Sequence, residues 1–247
     1  NFNQKFAFGN FSPDLRAGFI TEHKDRSFTA RNIGFAISNV MQFNWNLIYQ
    51  PIDSLFQDKN INYTNGIKVD ESTNLSDSYN ASNVLYAGYV STNLPLGKLK
   101  VYAGLRLEKN RQRLGGFENN GSPVKDVNDH LEPFPFVKDT HNFSDKTLVR
   151  FAYGRTLNRP EFREIAPFVF YNFEEKATYY GNPALVNSYI NNYEARFEYF
   201  PSNGDMITLG GFYKHFESPI EAHLIESGSG LNYNYSNASS AESFGAE

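Results

Sequence analysis

Between Lys98 and about Asn110, Leu99, Val101, Ala103, Leu105 and Leu107 alternate with Lys100, Tyr102, Gly104, Arg106 and Glu108. A period of two puts the first set on one face of an extended strand and the second on the other, which is the pattern of a half-buried strand. The pattern returns. Asn192, Glu194, Arg196 and Glu198 alternate with Tyr193, Ala195, Phe197 and Tyr199. Ile207, Leu209, Gly211 and Tyr213 form another apolar row, and Val149, Phe151 and Tyr153 alternate with Arg150, Ala152 and Gly154. Arg106, Arg150, Arg196 and Glu198 all fall opposite the apolar rows. In a soluble sandwich they would face solvent; in a barrel they would face a polar lumen.

Connection lengths separate these two architectures. Short turns occur at Asn10–Pro13, Leu94–Gly97, Ser144–Lys146 and Pro201–Asp205, and long connections at roughly 24–80, 111–129, 156–190 and 217–231. A sandwich has no reason to keep its long loops at one end, whereas outer-membrane barrels pair tight periplasmic turns with long extracellular loops. The expected fold is therefore all-β, an antiparallel transmembrane β-barrel. Nine strands are predicted, near 2–10, 13–23, 82–94, 98–110, 131–143, 146–155, 191–200, 206–216 and 232–247, with Pro133 and Pro135 interrupting the fifth. Bacterial single-chain barrels have an even strand number, and open strand edges cannot stand in hydrocarbon. Residues 1–247 are thus expected to be one partial barrel domain. With no initiator Met and no signal peptide, neither end reads as a natural terminus.

Composition agrees once the membrane solution is a barrel. A mean hydropathy of −0.53 and 20% charged residues ordinarily indicate a soluble chain, and no run of eighteen apolar residues permits a transmembrane helix. In a barrel only alternate residues meet lipid. The 23 Phe and 16 Tyr suit strands and interfacial girdles. Absence of Cys excludes disulfides and thiolate chemistry, and a net charge of −4 argues against nucleic-acid binding. Triplets such as Asn62-Tyr63-Thr64 are chance matches in an Asn-rich chain.

Asn158-Arg159-Pro160-Glu161-Phe162-Arg163-Glu164-Ile165-Ala166-Pro167-Phe168 resembles the TonB-dependent receptors of Bacteroidota-type bacteria, in particular those of the outer-membrane β-barrel protein family. Supporting words include Glu22-His23-Lys24-Asp25-Arg26, Tyr86-Ala87-Gly88-Tyr89, Ala103-Gly104-Leu105-Arg106, Gly181-Asn182-Pro183 and Phe212-Tyr213-Lys214-His215-Phe216. The resemblance implies a 22-stranded barrel filled by an N-terminal plug, whose motif a periplasmic TonB-type coupling protein pulls upon. Neither plug nor motif is recognisable, so the chain would be about nine strands from the middle of the barrel. It further implies a Gram-negative outer membrane, contact with its lipid, and import of a scarce solute. The ligand is left open between small molecule, glycan and peptide, and a surface lipoprotein is a further candidate partner. No enzyme activity and no cofactor are expected.

Arg155, Asn158, Arg159, Glu161, Phe162, Arg163 and Glu164, with Tyr179 and Tyr180, are the candidate ligand- or plug-contacting loop, their guanidinium forks suiting carboxylate or phosphate. The competing reading has these charges pair with one another and fold the loop over the barrel mouth. Phe168, Phe170, Tyr171, Phe173, Tyr179 and Tyr180 either meet an entering ligand or form the loop's own core. Phe197, Tyr199, Phe200, Phe212 and Tyr213 are expected at the lipid interface. Gly181-Asn182-Pro183 predicts a turn with Gly or Asn in the left-handed region, and Gly228-Ser229-Gly230 a loop tip. No metal site is assigned: Glu22 and His23 point to opposite faces of a strand, and Glu221 with His223 is too few ligands. Two rival functions remain, a non-transporting docking subunit of a surface assembly and a glycan-binding sandwich.

Overall fold

The structure, a computed structural model, describes residues 1–9, 11–118, 120–202, 204–226 and 230–247. Asn10, Asn119 and Asn203 of the expected turns and loops, and Gly228 and Ser229 of the expected tip, lie outside the described residues. Among the described residues fifteen strands follow in chain order. They are β1 (Phe2–Lys5), β2 (Asp14–Thr29), β3 (Ile33–Ile37), β4 (Ile67–Glu71), β5 (Ser78–Leu96), β6 (Leu99–Phe117), β7 (Pro123–Ser144) and β8 (Thr147–Asn158). Then come β9 (Val169–Asn172), β10 (Ala177–Tyr180), β11 (Ser188–Tyr199), β12 (Ile207–Glu217), β13 (Ile220–Ile225), β14 (Leu231–Asn237) and β15 (Ser240–Ala246). Short helices α1 (Ile52–Leu55) and α2 (Phe162–Ile165) lie in connections.

Nine strands make one antiparallel sheet in the order β1-β2-β5-β6-β7-β8-β11-β12-β15, so each strand pairs with its predecessor in the sheet and the loops carry everything else. β1 and β15 do not pair with each other, and the sheet is an open segment of barrel wall. Cross-strand partners share a face. The register runs Val90↔Leu105↔Pro135, then Val137↔Tyr153↔Tyr193↔Tyr213↔Phe244, which joins the apolar rows of successive strands into one continuous face. Phe19, Tyr86, Val90, Leu105, Leu107, Leu131, Val137, Phe151, Tyr193, Phe197, Leu209, Tyr213 and Phe244 on that face are all exposed. So large an apolar surface is not left in water by a folded protein.

Several boundaries differ from those expected. The stretch 111–129 is not a long loop: β6 and β7 stay paired out to Phe117↔Pro123. Its Arg, Gln and Asp content reads as loop, but backbone pairing carries the strands on regardless. Pro133 and Pro135 do not break β7 either. They lie beyond Phe136↔Gly154, where the ladder to β8 has already ended, so on that side no donor is missed. The last expected strand, 232–247, is two: β14 leaves the barrel sheet and only β15 joins it. Phe212 is on the polar face, its ring packed over Gly245, and not among the apolar rows.

The connections are folded. Between β2 and β5, β3 pairs with β4 over a small core of Phe43, Leu47 and Ile67. The connection 159–187 after β8 and the connection 218–239 after β12 merge into a four-stranded sheet, β13-β14-β10-β9, in which β10 and β14 run parallel. This joint unit packs on the polar face of β5 and β6. Its core unites Ile165, Ala166, Phe168 and Leu185 from the first connection with Tyr79, Ala81 and Leu114 from the wall.

Candidate functional site

The main core lies between the folded-back loop and the wall, and the candidate residues cluster around that seam. On β6 the side chains from Glu108 to Leu114 alternate strictly, with Glu108, Asn110, Gln112 and Leu114 buried and Lys109, Arg111 and Arg113 exposed. The buried half is the half the loop covers. Arg159 Nη2 donates to Glu108 Oε2 at 2.5 Å, and Arg106 Nε donates to Glu108 Oε1 at 2.6 Å. Glu108 thus holds two guanidinium groups, one from its own strand and one from the loop. Next to it Gln112 Nε2 donates to the Pro160 carbonyl at 2.9 Å inside the protein. These bonds fasten the start of the loop to the wall. Charge-assisted bonds in a partly dehydrated site are worth more than their exposed equivalents.

Arg155 does not belong to the loop. It is a residue of β8, and its guanidinium lies over the Tyr189 ring at 4.6 Å. Tyr189 in turn donates its hydroxyl to Glu132. Asn158 ends β8, exposed and opposite Ser188. Glu161 and Glu164 cap α2 reciprocally: the Glu161 side chain accepts from the Glu164 amide, and Glu164 Oε2 accepts from the Glu161 amide at 2.8 Å. Burial pushes the Glu164 carboxyl up from its ordinary range. Arg163 lies over the Phe170 ring at 4.4 Å, and Phe162 packs against the seam core. Among the described residues no ion pair forms within 155–164. The loop folds back by capping, ring contacts and the one bridge to Glu108, because its charges alternate around a single helical turn rather than meeting.

Gly181 and Asn182 are not left-handed. The glycine answers a different demand. A Cβ there would stand 1.8 Å from the Ala166 carbonyl oxygen, so only a hydrogen lets β10's exit cross behind α2. Asn182 then knots the loops, its amide nitrogen donating to the Glu164 carbonyl at 2.6 Å and Nδ2 to the Tyr235 carbonyl at 2.9 Å. Asn237 does the same from the other side, donating to the Val186 and Ser218 carbonyls at 3.1 and 2.7 Å.

Tyr179 stacks on Tyr233 across the parallel pair at 5.0 Å and lies 6.0 Å from Tyr235. Its hydroxyl donates to Glu175, which pushes its pKa up to about 12. Tyr180, next in the strand, points to the other face and is exposed. Of the loop aromatics, Phe168 and Phe170 join the core, while Tyr171 and Phe173 stay exposed, packed edge-on at 5.0 Å.

Arg106, Arg150, Arg196 and Glu198 share the polar face by register, Arg150 opposite Arg196. Arg150 Nη1 reaches Glu198 Oε1 at 3.0 Å, and Glu198 is buried. Cavities of about 550 and 400 Å³ flank the Arg159 bridge. The first is lined by Glu22, Lys24, Gln112 and Glu161, the second by Tyr89, Arg106, Phe134 and Phe136. Sequence reasoning missed Glu108 and Gln112 as partners of the loop. Their place on the row of Arg106 was the available signal, but nothing local shows that a loop 48 residues on would cover them.

The same architecture occurs in solved proteins. The hemophore receptor HasR of Serratia marcescens, solved with its hemophore HasA and heme, matches at 14% identity and TM-score 0.54 over 96% of this chain and 39% of its own. The ferric-catecholate import receptor Fiu from E. coli K12 matches at 14% identity and TM-score 0.56 over 99% and 33%. The copper transporter OprC matches at 13% identity and TM-score 0.52 over 98% and 34%. The chain therefore spans between a third and two fifths of the length of these structures. No match is found among curated proteins. The family model described as the outer membrane protein beta-barrel family matches residues 36–247. With the open antiparallel wall, its continuous apolar face and a match over most of its length, the chain belongs to the outer membrane protein beta-barrel family and resides in the outer membrane.

Proposed function

We propose that this chain is barrel wall and extracellular cap of a TonB-dependent receptor that binds a scarce solute outside the cell and admits it to the periplasm. The apolar face meets lipid and the polar face, with Arg106, Arg150, Arg196 and Glu198, lines the lumen. The observation that carries the reading is the folded cap: two long connections interlock and lie across the polar face, fastened by Arg159 to Glu108. A cap seated on the lumen side stands where an entering solute passes. Similarity to a hemophore receptor, an import receptor and a transporter supports the same reading. A plug, and a TonB-type coupling protein acting on it, supply the displacement such import needs. On this reading Asn158, Glu161, Arg163 and Tyr180, which stay exposed, meet ligand or plug, while Arg155, Arg159, Phe162, Glu164 and Tyr179 hold the surface that carries them.

The test is growth of cells with and without the protein on a panel of limiting solutes: heme, ferric siderophores, copper, cobalamin, glycans and peptides. A defect on one solute that also requires the coupling protein supports import. No defect on any of them would favour the docking subunit. One observation speaks for that alternative: the 30–77 connection leaves Val40, Met41, Trp45, Ile48, Tyr49 and Ile52 exposed, an apolar surface suited to a surface lipoprotein or another partner.

A further inference from the structure

The apolar face carries a second pattern at its outer end. On β6 the row Leu99, Val101, Ala103, Leu105, Leu107 continues, without changing face, into Lys109, Arg111 and Arg113. All three are exposed. Lys125 of β7 joins them, standing opposite Gly115 beside Arg113. Between these last two lies a depression of about 500 Å³. Its floor is made of small residues, because Ser27, Asn80 and Gly115 form one cross-strand row and Ser82 stands between Asp25 and Arg113 in the next. Lys109 and Arg111 share Asp129, and Asp25 pairs with His23. Arg113 and Lys125 form no ion pair among the described residues. Four cations here face two carboxylates, in a chain whose net charge is −4.

Height decides what such a surface meets. Lys109 is two residues beyond Leu107, and Arg113 six, which is about 20 Å along the strand or about 15 Å along the membrane normal at a tilt of about 40°. A phospholipid headgroup layer adds only about 5–8 Å to the hydrocarbon on each side. Lys109 falls inside that layer. Arg113 and Lys125 stand above it, at a level only a taller, sugar-bearing headgroup reaches.

We propose that this basic ladder binds the phosphate groups of an outer-leaflet glycolipid, Lys109 at the first headgroup layer and Arg111, Arg113 and Lys125 at phosphates farther out. Arg113 and Lys125 supply charge, and the hydroxyls of Ser27 and Ser82 with the Asn80 amide supply neutral donors on the floor. The acyl chains of the same lipid lie on Leu105, Leu107 and Val90. Continuity of cationic and apolar rows on one face favours a lipid over a dissolved anion, whose site needs no apolar neighbour. The proposal rests on the apolar face being the lipid face. Labelling of Leu105→Cys by a bilayer-confined reagent reports on that point separately.

The experiment is native mass spectrometry of the protein purified from the outer membrane and exchanged into phosphatidylcholine nanodiscs. The nanodiscs carry either a phosphorylated core lipopolysaccharide or the same lipid stripped of phosphate. Wild type should retain the phosphorylated lipid, and the Arg113→Gln, Lys125→Gln variant should retain it roughly thirtyfold more weakly, as expected for two charges removed near an anionic surface. Stripping the phosphates should weaken retention by wild type to a similar degree. Both residues are exposed and their side chains lie outside the hydrogen-bond ladder, so the variant keeps its sheet, which circular dichroism verifies. Equal retention by variant and wild type, or equal retention of the stripped lipid, would overturn the proposal. So would displacement of the lipid by inorganic phosphate alone, since the site would then be one for dissolved anions.

Discussion

Replacing Arg159 by Ala should release the cap from the wall without unfolding the wall. The magnitude follows from what Glu108 loses. It is a mostly buried carboxylate with two partners, Arg159 at 2.5 Å and Arg106 at 2.6 Å. Removing the sole partner of a buried charge costs about 3–5 kcal/mol. Glu108 keeps Arg106, so the loss is closer to that of one charge-assisted hydrogen bond, about 1–3 kcal/mol. That corresponds to roughly 5- to 150-fold more opening of the cap. Hydrogen–deuterium exchange of the protein in nanodiscs reads it directly: amides of 161–166 and 181–185 should exchange faster by that factor, and those of β6 and β11 should not change. Glu108→Gln should accelerate the same amides, and the double variant should add little to either single change. Arg163→Ala, which loses only the contact over Phe170, should produce a smaller effect of about 0.5–1 kcal/mol. Unchanged exchange in Arg159→Ala, or fully additive effects with Glu108→Gln, would refute the bridge as the fastening.

Gly181→Ala should loosen the cap further, by more than about 2 kcal/mol, since the added carbon meets backbone at 1.8 Å and not a yielding side chain; unaltered protease resistance of 159–187 would contradict the close-approach account. Asn182→Ala should open both connections together, because its Nδ2 holds the Tyr235 carbonyl of the other loop; faster exchange confined to 177–187, leaving 231–237 unmoved, would show that the loops are independent. The Arg31–Glu71 fork, with bonds of 2.9 and 2.8 Å, holds the Glu71 carboxyl down at about 2. A depressed carboxylate contributes its full stabilisation above the ordinary value of 4.5 and loses it progressively as pH falls to the folded value, so Glu71 should stay ionised to about pH 2 while its contribution to the β3–β4 hairpin fades between 4.5 and about 2. A carboxyl NMR titration of Glu71 with a midpoint near 4.5 would contradict it.

The wall was legible because its side chains obey a two-residue rule imposed by the membrane. Leu99 to Leu107 and Tyr193 to Tyr199 announce both strand and face with no knowledge of neighbours. Above the lipid that rule lapses. Arg111-Gln112-Arg113 looks like loop in sequence yet stays in strand, and only the cap folded over Gln112 and Leu114 shows which half is covered. Asn232 to Asn237 alternate as well in the cap sheet as they would in the wall, so the sequence could not assign β14 to either. At Phe212 the apolar residue stands on the polar face, where the glycine opposite, Gly245, makes room for a ring. Within the candidate site, the sequence groups Arg155 to Glu164 as one loop, whereas Arg155 and Asn158 lie in β8 and the loop starts at Arg159. What holds the loop is not legible, since Glu108, Gln112 and the carbonyl behind Gly181 are set by tertiary approach alone.

The measurement that bears most directly on the account is accessibility of single cysteines to a bilayer-confined probe. Cysteines would be placed at Leu105, Val149 and Phe197 on the apolar face, and at Arg106, Arg150 and Arg196 on the polar face. If the apolar face meets lipid, the first three react and the second three are protected until a water-soluble reagent enters the lumen. Reaction at the arginine positions with protection at the other three would reverse the wall, and with it the place of the cap and of the basic ladder.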